Sequence, residues 1–370
     1  MAEAHIDLSY SRDAGVVAIS SGPQHPWAAT ALREAGFRSR QDGTYHVPGR
    51  DPDVSRSALA NLVECAARHR TSVSTNSRRY IGDAARDIAE RLPGRWRAEV
   101  EVYSHPVWQE DLVHWLWDNG DLGRIAQTER IAYAASLTDM AEGTTLLLVE
   151  HPGKEFGYLV GALASRPFNG GHDDPHAPSS VAVGPFPGRS AKAIADHYLP
   201  GYHRALHARR TDAVATALTH IRDEYGAWNS MAESERNSDA TSLPAPLSDT
   251  EFTEFQDRAW RIFQDVIDHV DPLARSCRPA SSPWPQDTVP LGRITYALAQ
   301  LSGFRLELGD GQDLAREERI ARTWPAIETW LTHTDAFLRQ VHHSAPQLRL
   351  ALPVTATPRA LPVARPASRR

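Results

Sequence analysis

The stretch from Ala28 to His69 constrains this chain most, because it reads helix, hairpin, helix with almost no slack. Residues 28–35 are alanine-rich and favour a helix, which Gly36 stops. Phe37–Arg40 and Thr44–Val47 then flank Gln41-Asp42-Gly43. Asp-Gly between two alternating runs predicts a tight hairpin, since primed turns need positive φ. Pro48 closes the second strand, and 53–69 returns to a helix. The segment sets a local plan but carries no chemistry of its own.

Around it the chain reads as an α+β fold. An N-terminal α/β unit containing the αββα segment spans 1–92, with short strands at Gly15–Ser20 and Thr71–Thr75 and a helix from Arg79 to Leu92. A mixed α+β segment spans 94–200. Its expected elements are a strand over Trp96–Tyr103 and an aromatic helix over Val107–Asp118. Strands follow at Ala132–Leu137, Thr144–Glu150, Tyr158–Leu163 and Ser180–Val183. The region 201–345 is mainly helical, with Pro200-Gly201 expected to break one helix from the next. A Ser/Asn/Pro-rich linker is expected at 234–249, and Pro325 is expected to kink the last helix. The final residues, 346–370, mix Pro, Ala, Thr and Arg without periodicity and read as a disordered basic tail.

A chain of 370 residues has room for several cores. No apolar run reaches the roughly 18 residues of a membrane span, and the N-terminus has no basic and apolar leader. A cytoplasmic location and no membrane partner are therefore expected. Cys65 and Cys277 form no disulfide framework and read as reduced, buried thiols.

The cations are 38 Arg and only two Lys, which GC-rich codon usage explains better than function does. Their distribution is more useful. Residues 1–100 carry 14 Arg against 12 acids, residues 101–350 carry 22 Lys and Arg against 34 acids, and residues 351–370 carry four Arg and no acid. Such a chain would meet nucleic acid only at its ends, whereas the acidic body suits a protein partner.

Candidate chemistry is sparse. His172-Asp173-Asp174-Pro-His176 groups imidazoles and carboxylates in a Gly/Pro-rich loop, a composition that suits a divalent metal or acid–base work. The bland alternative is a polar turn in which the Asp side chains cap backbone N–H groups. His203 and His207 share a helix face at i,i+4 but lack the Glu that supplies the base in metalloprotease helices. Solvated histidines beside a Tyr202/Leu206 core stripe are the simpler reading. Trp108 and Trp115, seven apart, share a face and read as core, with Trp117 pointing elsewhere. No phosphate-cradling loop and no nucleophile elbow occur, so the reading leans away from an enzyme and expects no cofactor.

The cationic face of the first segment remains. Arg38, Arg40, Arg78 and Arg79 are candidate phosphate contacts, and Tyr45 a candidate stacking residue. Leu32-Arg-Glu-Ala-Gly-Phe-Arg38 followed by Asp42-Gly-Thr-Tyr45-His-Val-Pro48 resembles the αββα module of some annealing helicases and plasmid-borne accessory proteins. In those proteins the module is linked to DNA, and Tyr45 stands where an aromatic, often Trp, is usual. The whole chain, including Val107–Trp117, resembles uncharacterised actinobacterial (Streptomyces-type) proteins, which implies a source and no activity. Three readings result. The first is a non-catalytic accessory protein that meets nucleic acid through its arginine-rich N-terminal segment. The second is a metal-dependent enzyme using 172–176 with 203 and 207, and the third is a protein-interaction scaffold.

Overall fold

His5–Ser11 alternates polar and apolar side chains, and in the computed structural model of the chain it forms strand β1 (His5–Ser11). Ile6 and Leu8 turn inward while His5, Asp7 and Ser9 face the other way, as a period of two requires. Residues 3–48, 51–154, 156–165, 168, 173–237, 249–276, 283–308 and 314–344 are described. β1 pairs antiparallel with β2 (Gly15–Ser21) along its whole length. Helix α1 (His25–Glu34) has Pro26 in its first turn, where a missing N–H costs nothing. It ends before Gly36, whose φ of 90° gives the left-handed exit.

The hairpin forms where expected, but with Gly43 alone at positive φ its turn is a three-residue loop and not a primed pair. β3 (Arg38–Ser39) and β4 (Tyr45–His46) pair antiparallel across a turn in which Gly43 takes a φ of 80°. Asp42 Oδ1 accepts the Thr44 N–H at 3.0 Å and the Thr44 hydroxyl at 2.6 Å, which holds the turn shut. Asp51 caps helix α2 (Pro52–Arg68), and β5 (Ser72–Arg79) returns parallel to β1. The first sheet therefore runs β3-β4-β2-β1-β5. Helices α1 and α2 cover one face, where Ile6, Leu8 and Ala18 meet Leu32, Leu62 and the buried Cys65. β1 was absent from the sequence reading, although its alternation was there to be seen.

Helix α3 (Ile81–Ala89) leaves the first sheet and packs on a second one. That sheet is built from β6 (Trp96–Val102), β8 (Tyr133–Asp139), β9 (Thr145–Glu150), β10 (Tyr158–Leu163) and β11 (Val181–Val183). The order is β11-β10-β9-β8-β6, antiparallel throughout. Helix α4 (Pro106–Trp115) stops short of the expected end. Leu116 and Trp117 instead form a short strand, β7 (Leu116–Trp117), against Leu163 and Ala162. That switch reverses the expected burial of the tryptophans. Trp117 is 1% exposed, whereas Trp108 and Trp115 are each 46% exposed. A further helix, α5 (Asp121–Thr128), follows a turn in which Asp118 Oδ2 accepts the N–H groups of Gly120 and Gly123.

Helix α6 (Pro187–Ala193), a π turn over Ile194–Tyr198 and α7 (Leu199–Asn237) follow one another without interruption. The break expected at Pro200-Gly201 is therefore absent. The wide π turn just before Pro200 relaxes the i→i−4 ladder where the proline lacks a donor. α8 (Asp249–Ser276), α9 (Thr288–Leu308) and α10 (Arg316–His343) complete a bundle with Trp260, Trp330, Phe255 and Phe263 in its core. Most of the expected linker and the whole tail 346–370 lie outside the described residues, as do Cys277 and His172. Among the described residues no helix is long and apolar enough to cross a membrane.

Candidate functional site

The four candidate arginines do not share a surface. Arg38 lies in β3 and Arg40 just after it, at one edge of the first sheet, and Arg78 and Arg79 end β5 at the other. Arg78 Nη1 sits 3.2 Å from Glu150 Oε2, and its Nη2 donates to the carbonyls of His151 and Lys154. Arg79 meets Asp87 at 2.5 Å, and Arg40 Nε lies 3.7 Å from Asp42. Arg38 takes part in no ion pair among the described residues. Three of the four charges are thus answered from within the fold. Phe37 is buried, and Tyr45 is half-buried against the same core, so its ring is partly committed to packing.

The histidine and aspartate set is also dispersed. Asp174 accepts from Trp117 Nε1 at 3.1 Å and from Arg209 Nε at 2.6 Å. His176 Nε2 lies 3.6 Å from Asp212, and His203 Nε2 lies 3.7 Å from Glu142. His207 Nε2 reaches the Val341 carbonyl at 3.1 Å, on a different element from the partner of His203. Asp173 holds a φ of 64° in the same loop. Among the described residues no three His, Cys, Asp or Glu side chains stand close enough to hold a metal ion.

What sequence reasoning missed is a polar chain across the two sheets. Tyr133 donates to Asp7 Oδ2 at 3.0 Å and accepts from Asn76 Nδ2 at 3.0 Å. Asn76 also donates to Glu150 at 3.0 Å, and Glu150 holds Arg78. Burial raises the Glu150 carboxyl above its ordinary value, with Asn76 and Arg78 pulling it back. Partners 57 to 126 positions apart leave no spacing signal in the chain.

Beside α3 a second set of ionic contacts pins the β1–β2 turn. Asp83, with no exposed surface, accepts from Ser11 Oγ at 3.0 Å, from the Arg12 N–H at 2.6 Å and from Arg86 Nη2 at 2.7 Å. Arg86 also pairs with Asp13. This turn, the hairpin and β6 together enclose a cleft of about 1140 Å³. Gly82 lets α3 approach β6 closely there, since a Cβ would stand 2.9 Å from Val100 Cγ2.

The cleft runs along a sheet edge on which no further strand is paired among the described residues. Tyr103 N–H donates to Ala132 O, and Met140 N–H to Arg95 O, each at 2.8 Å. With the register Trp96↔Asp139 to Val102↔Tyr133, the odd residues of β6 bond to β8. The N–H and C=O groups of Trp96, Ala98, Val100 and Val102 therefore point away from the sheet. Ala98, Glu99, Val100 and Glu101 all line the cleft, and lining by both faces of the pleat means that it follows the strand's edge. Its upper end is closed by the hairpin turn, where a Cβ on Gly43 would meet Val102 Cβ at 3.4 Å.

Carboxylates outnumber guanidinium groups in the lining: Asp13, Asp42, Glu99 and Glu101 against Arg40 and Arg86. Glu99 is paired with exposed Arg97 at 3.0 Å. Glu101 accepts from the Tyr103 hydroxyl at 2.7 Å and meets no cation among the described residues. Burial and the charge of Glu101 both push the Tyr103 hydroxyl well above its ordinary value. A second cleft, of about 950 Å³, lies where the second sheet meets α7 and α8. Comparison of the chain with protein-family models, with curated proteins and with solved structures finds no match in any of the three.

Proposed function

We propose that this is a binding protein that takes its partner by strand addition to β6. The partner is an extended segment that alternates apolar and basic side chains. One observation carries the reading: the outward backbone groups of Ala98 and Val100 open into a cleft of about 1140 Å³. An added strand would place every second side chain over Ala98, Val100 and Tyr80, which are apolar. The intervening side chains would lie beside Glu99 and Glu101, where a cation is favoured. A polyanion is the poorer fit, because Glu101 in this wall meets no cation among the described residues while three of the four candidate arginines are already paired.

Fluorescence anisotropy with a short labelled peptide alternating Val and Lys tests this, with a Val/Glu peptide as control. Ala98→Pro deletes one outward N–H without touching the ladder to β8, since edge positions tolerate proline. The expected result is saturable binding of the Lys peptide that weakens about tenfold or more in Ala98→Pro, the worth of one or two hydrogen bonds. Glu101→Gln should weaken it less and should reduce its sensitivity to salt. Equal binding of both peptides, no effect of Ala98→Pro in a folded variant, or tighter retention of duplex DNA at low salt would each overturn the proposal.

A further inference from the structure

Helix α9 is apolar on two opposite faces. Leu291, Ile294, Leu298, Leu301 and Phe304 belong to the bundle core. On the other side Val289, Tyr296 and Leu306 stand 63, 68 and 83% exposed. Between them lie Gly292 and Ala299, both exposed, and half-buried Gly303. These six positions follow one another at steps of three, four, three, four and three residues, the spacing of a coiled-coil seam. None of them is charged. The neighbouring α8 differs, since its solvent side carries Glu254, Arg258, Arg261 and Asp265. A helix that is apolar on both sides is one that is covered on both.

The two glycines indicate what covers it. Both sit inside a helix of 21 residues, where glycine is the least favourable residue after proline. Neither has a positive φ, and a Cβ built on either would meet no atom within 4 Å among the described residues. Nothing in the chain itself therefore requires glycine at these positions. A second backbone passing close by does.

The order of side-chain sizes is self-complementary when read in both directions. Across a two-fold axis near Ala297 and Leu298, an antiparallel copy sets Leu306 on Val289, Gly303 on Gly292 and Ala299 on Tyr296. Each layer then joins two branched side chains, two glycines, or a large and a small residue. A parallel pair would crowd the two Tyr296 rings into one layer and leave a gap at Ala299. The flanking charges agree with the antiparallel order. Arg293 takes part in no ion pair or hydrogen bond among the described residues. It would lie on the same flank, and at the same end, as Glu307 of the second copy, which is 63% exposed. Six layers along about 26 Å of helix bury on the order of 1,000 Å², the threshold of a specific interface, so association should be reversible.

We infer that the outer face of α9 is the contact surface of a homodimer, in which α9 packs antiparallel on α9 of a second copy. The contact is independent of strand addition at β6, since none of its residues lines that cleft.

Sedimentation velocity of the full chain between about 1 and 200 μM, with a reductant present, tests it over the range of ordinary self-association. A reversible monomer–dimer equilibrium is expected. Tyr296→Glu and Leu306→Glu alter exposed side chains, so each variant should fold, and each should raise the dimer Kd about tenfold or more. Tyr296→Ala and Ala299→Tyr should each weaken the dimer. The double exchange, which swaps the large and small members of one layer, should recover part of the loss. Gly292→Ala combined with Gly303→Ala separates dimer packing from helix stability. Alanine is the better helix former, so melting of the dilute monomer should move upward, while two added Cβ atoms wedge the helices apart and weaken the dimer. A chain that stays monomeric throughout, or a dimer indifferent to Tyr296→Glu and Leu306→Glu, would overturn the inference. So would a dimer undiminished by the two alanines, or an exchange without recovery. A monomer whose melting temperature falls with Tyr296→Glu would overturn it too, since another segment of the same chain would then cover the face.

Discussion

The β-rich half and the helical bundle of this protein are stabilised in different ways. In the bundle, Trp260, Trp330, Phe255 and Phe263 fill a continuous apolar interior, and the void beside Trp330 holds only about 30 Å³. In the β-rich half, ionic and polar contacts reach deep between elements: Asp83 fastens the β1–β2 turn to α3, and Glu150 joins β9 to β5. Both large clefts involve the β-rich half, one along the edge of β6 and one where β8–β10 meet α7 and α8. A packed helical interior leaves no room for a ligand, whereas sheets end in edges and turns that must be covered by something else.

The contrast can be broken most forcefully in the bundle. Trp330 has no exposed surface and stands edge-on to Phe263 and Phe337. Trp330→Ala should cost about 3–5 kcal/mol, through lost burial and a residual cavity. Denaturant unfolding followed by circular dichroism measures it, and a loss below that of a surface substitution would show that the bundle is not packed as described. A smaller effect is expected from Asp83→Ala in the β-rich half. It removes a fully buried carboxylate and leaves Ser11 and the Arg12 N–H without their acceptor, at about 2 kcal/mol. The partly exposed guanidinium of Arg86 keeps that figure below the cost of breaking a fully buried pair. An effect exceeding that of Trp330→Ala would reverse the comparison.

The smallest effect sharpens the junction between the halves. Phe168 stacks between Trp117 of the sheet and His269 of α8, with ring centroids 6.0 and 5.1 Å away. His269 faces Arg209 and Arg210 of α7, with Asp265 and Asp268 on its own helix. In the folded state its pKa is held below the ordinary imidazole value, first through burial and then through Arg210. The unfolded chain therefore takes up the proton first, and the same sign holds for half-buried His25 and His207. Stability contributed by these groups is present above about pH 6.5 and declines as the pH falls below it. Melting temperature measured from pH 7.5 down to 5 should fall, and His269→Phe should flatten part of that slope. An unchanged slope would mean that the junction does not sense His269.

The hairpin, the helices around it and the strands from Thr145 to Leu163 were legible in the sequence, because turn chemistry and periodicity act within a few residues. Pro200 misled, since the rule that proline ends a helix ignores a π turn placed just before it. The aromatic run from Trp108 to Trp117 misled too. Helical spacing put Trp108 and Trp115 inside, whereas pairing of Leu116 and Trp117 with β10 buried Trp117 instead. The sites themselves were out of reach. Arg78 and Glu150, or Asp7 and Tyr133, meet only after the two sheets have come together.

By itself the chain's order of residues determined the local elements: where a turn needs Gly43, where Asp51 starts a helix, which faces are apolar. Only the tertiary structure decided which arginines are neutralised, that β6 ends its sheet with the backbone groups of Ala98 and Val100 facing outward, and that the second sheet, α7 and α8 frame a second cleft. The reason is range. Propensity and capping act over a turn or two of backbone, while charge pairing and cleft formation depend on segments brought together from far apart in the chain.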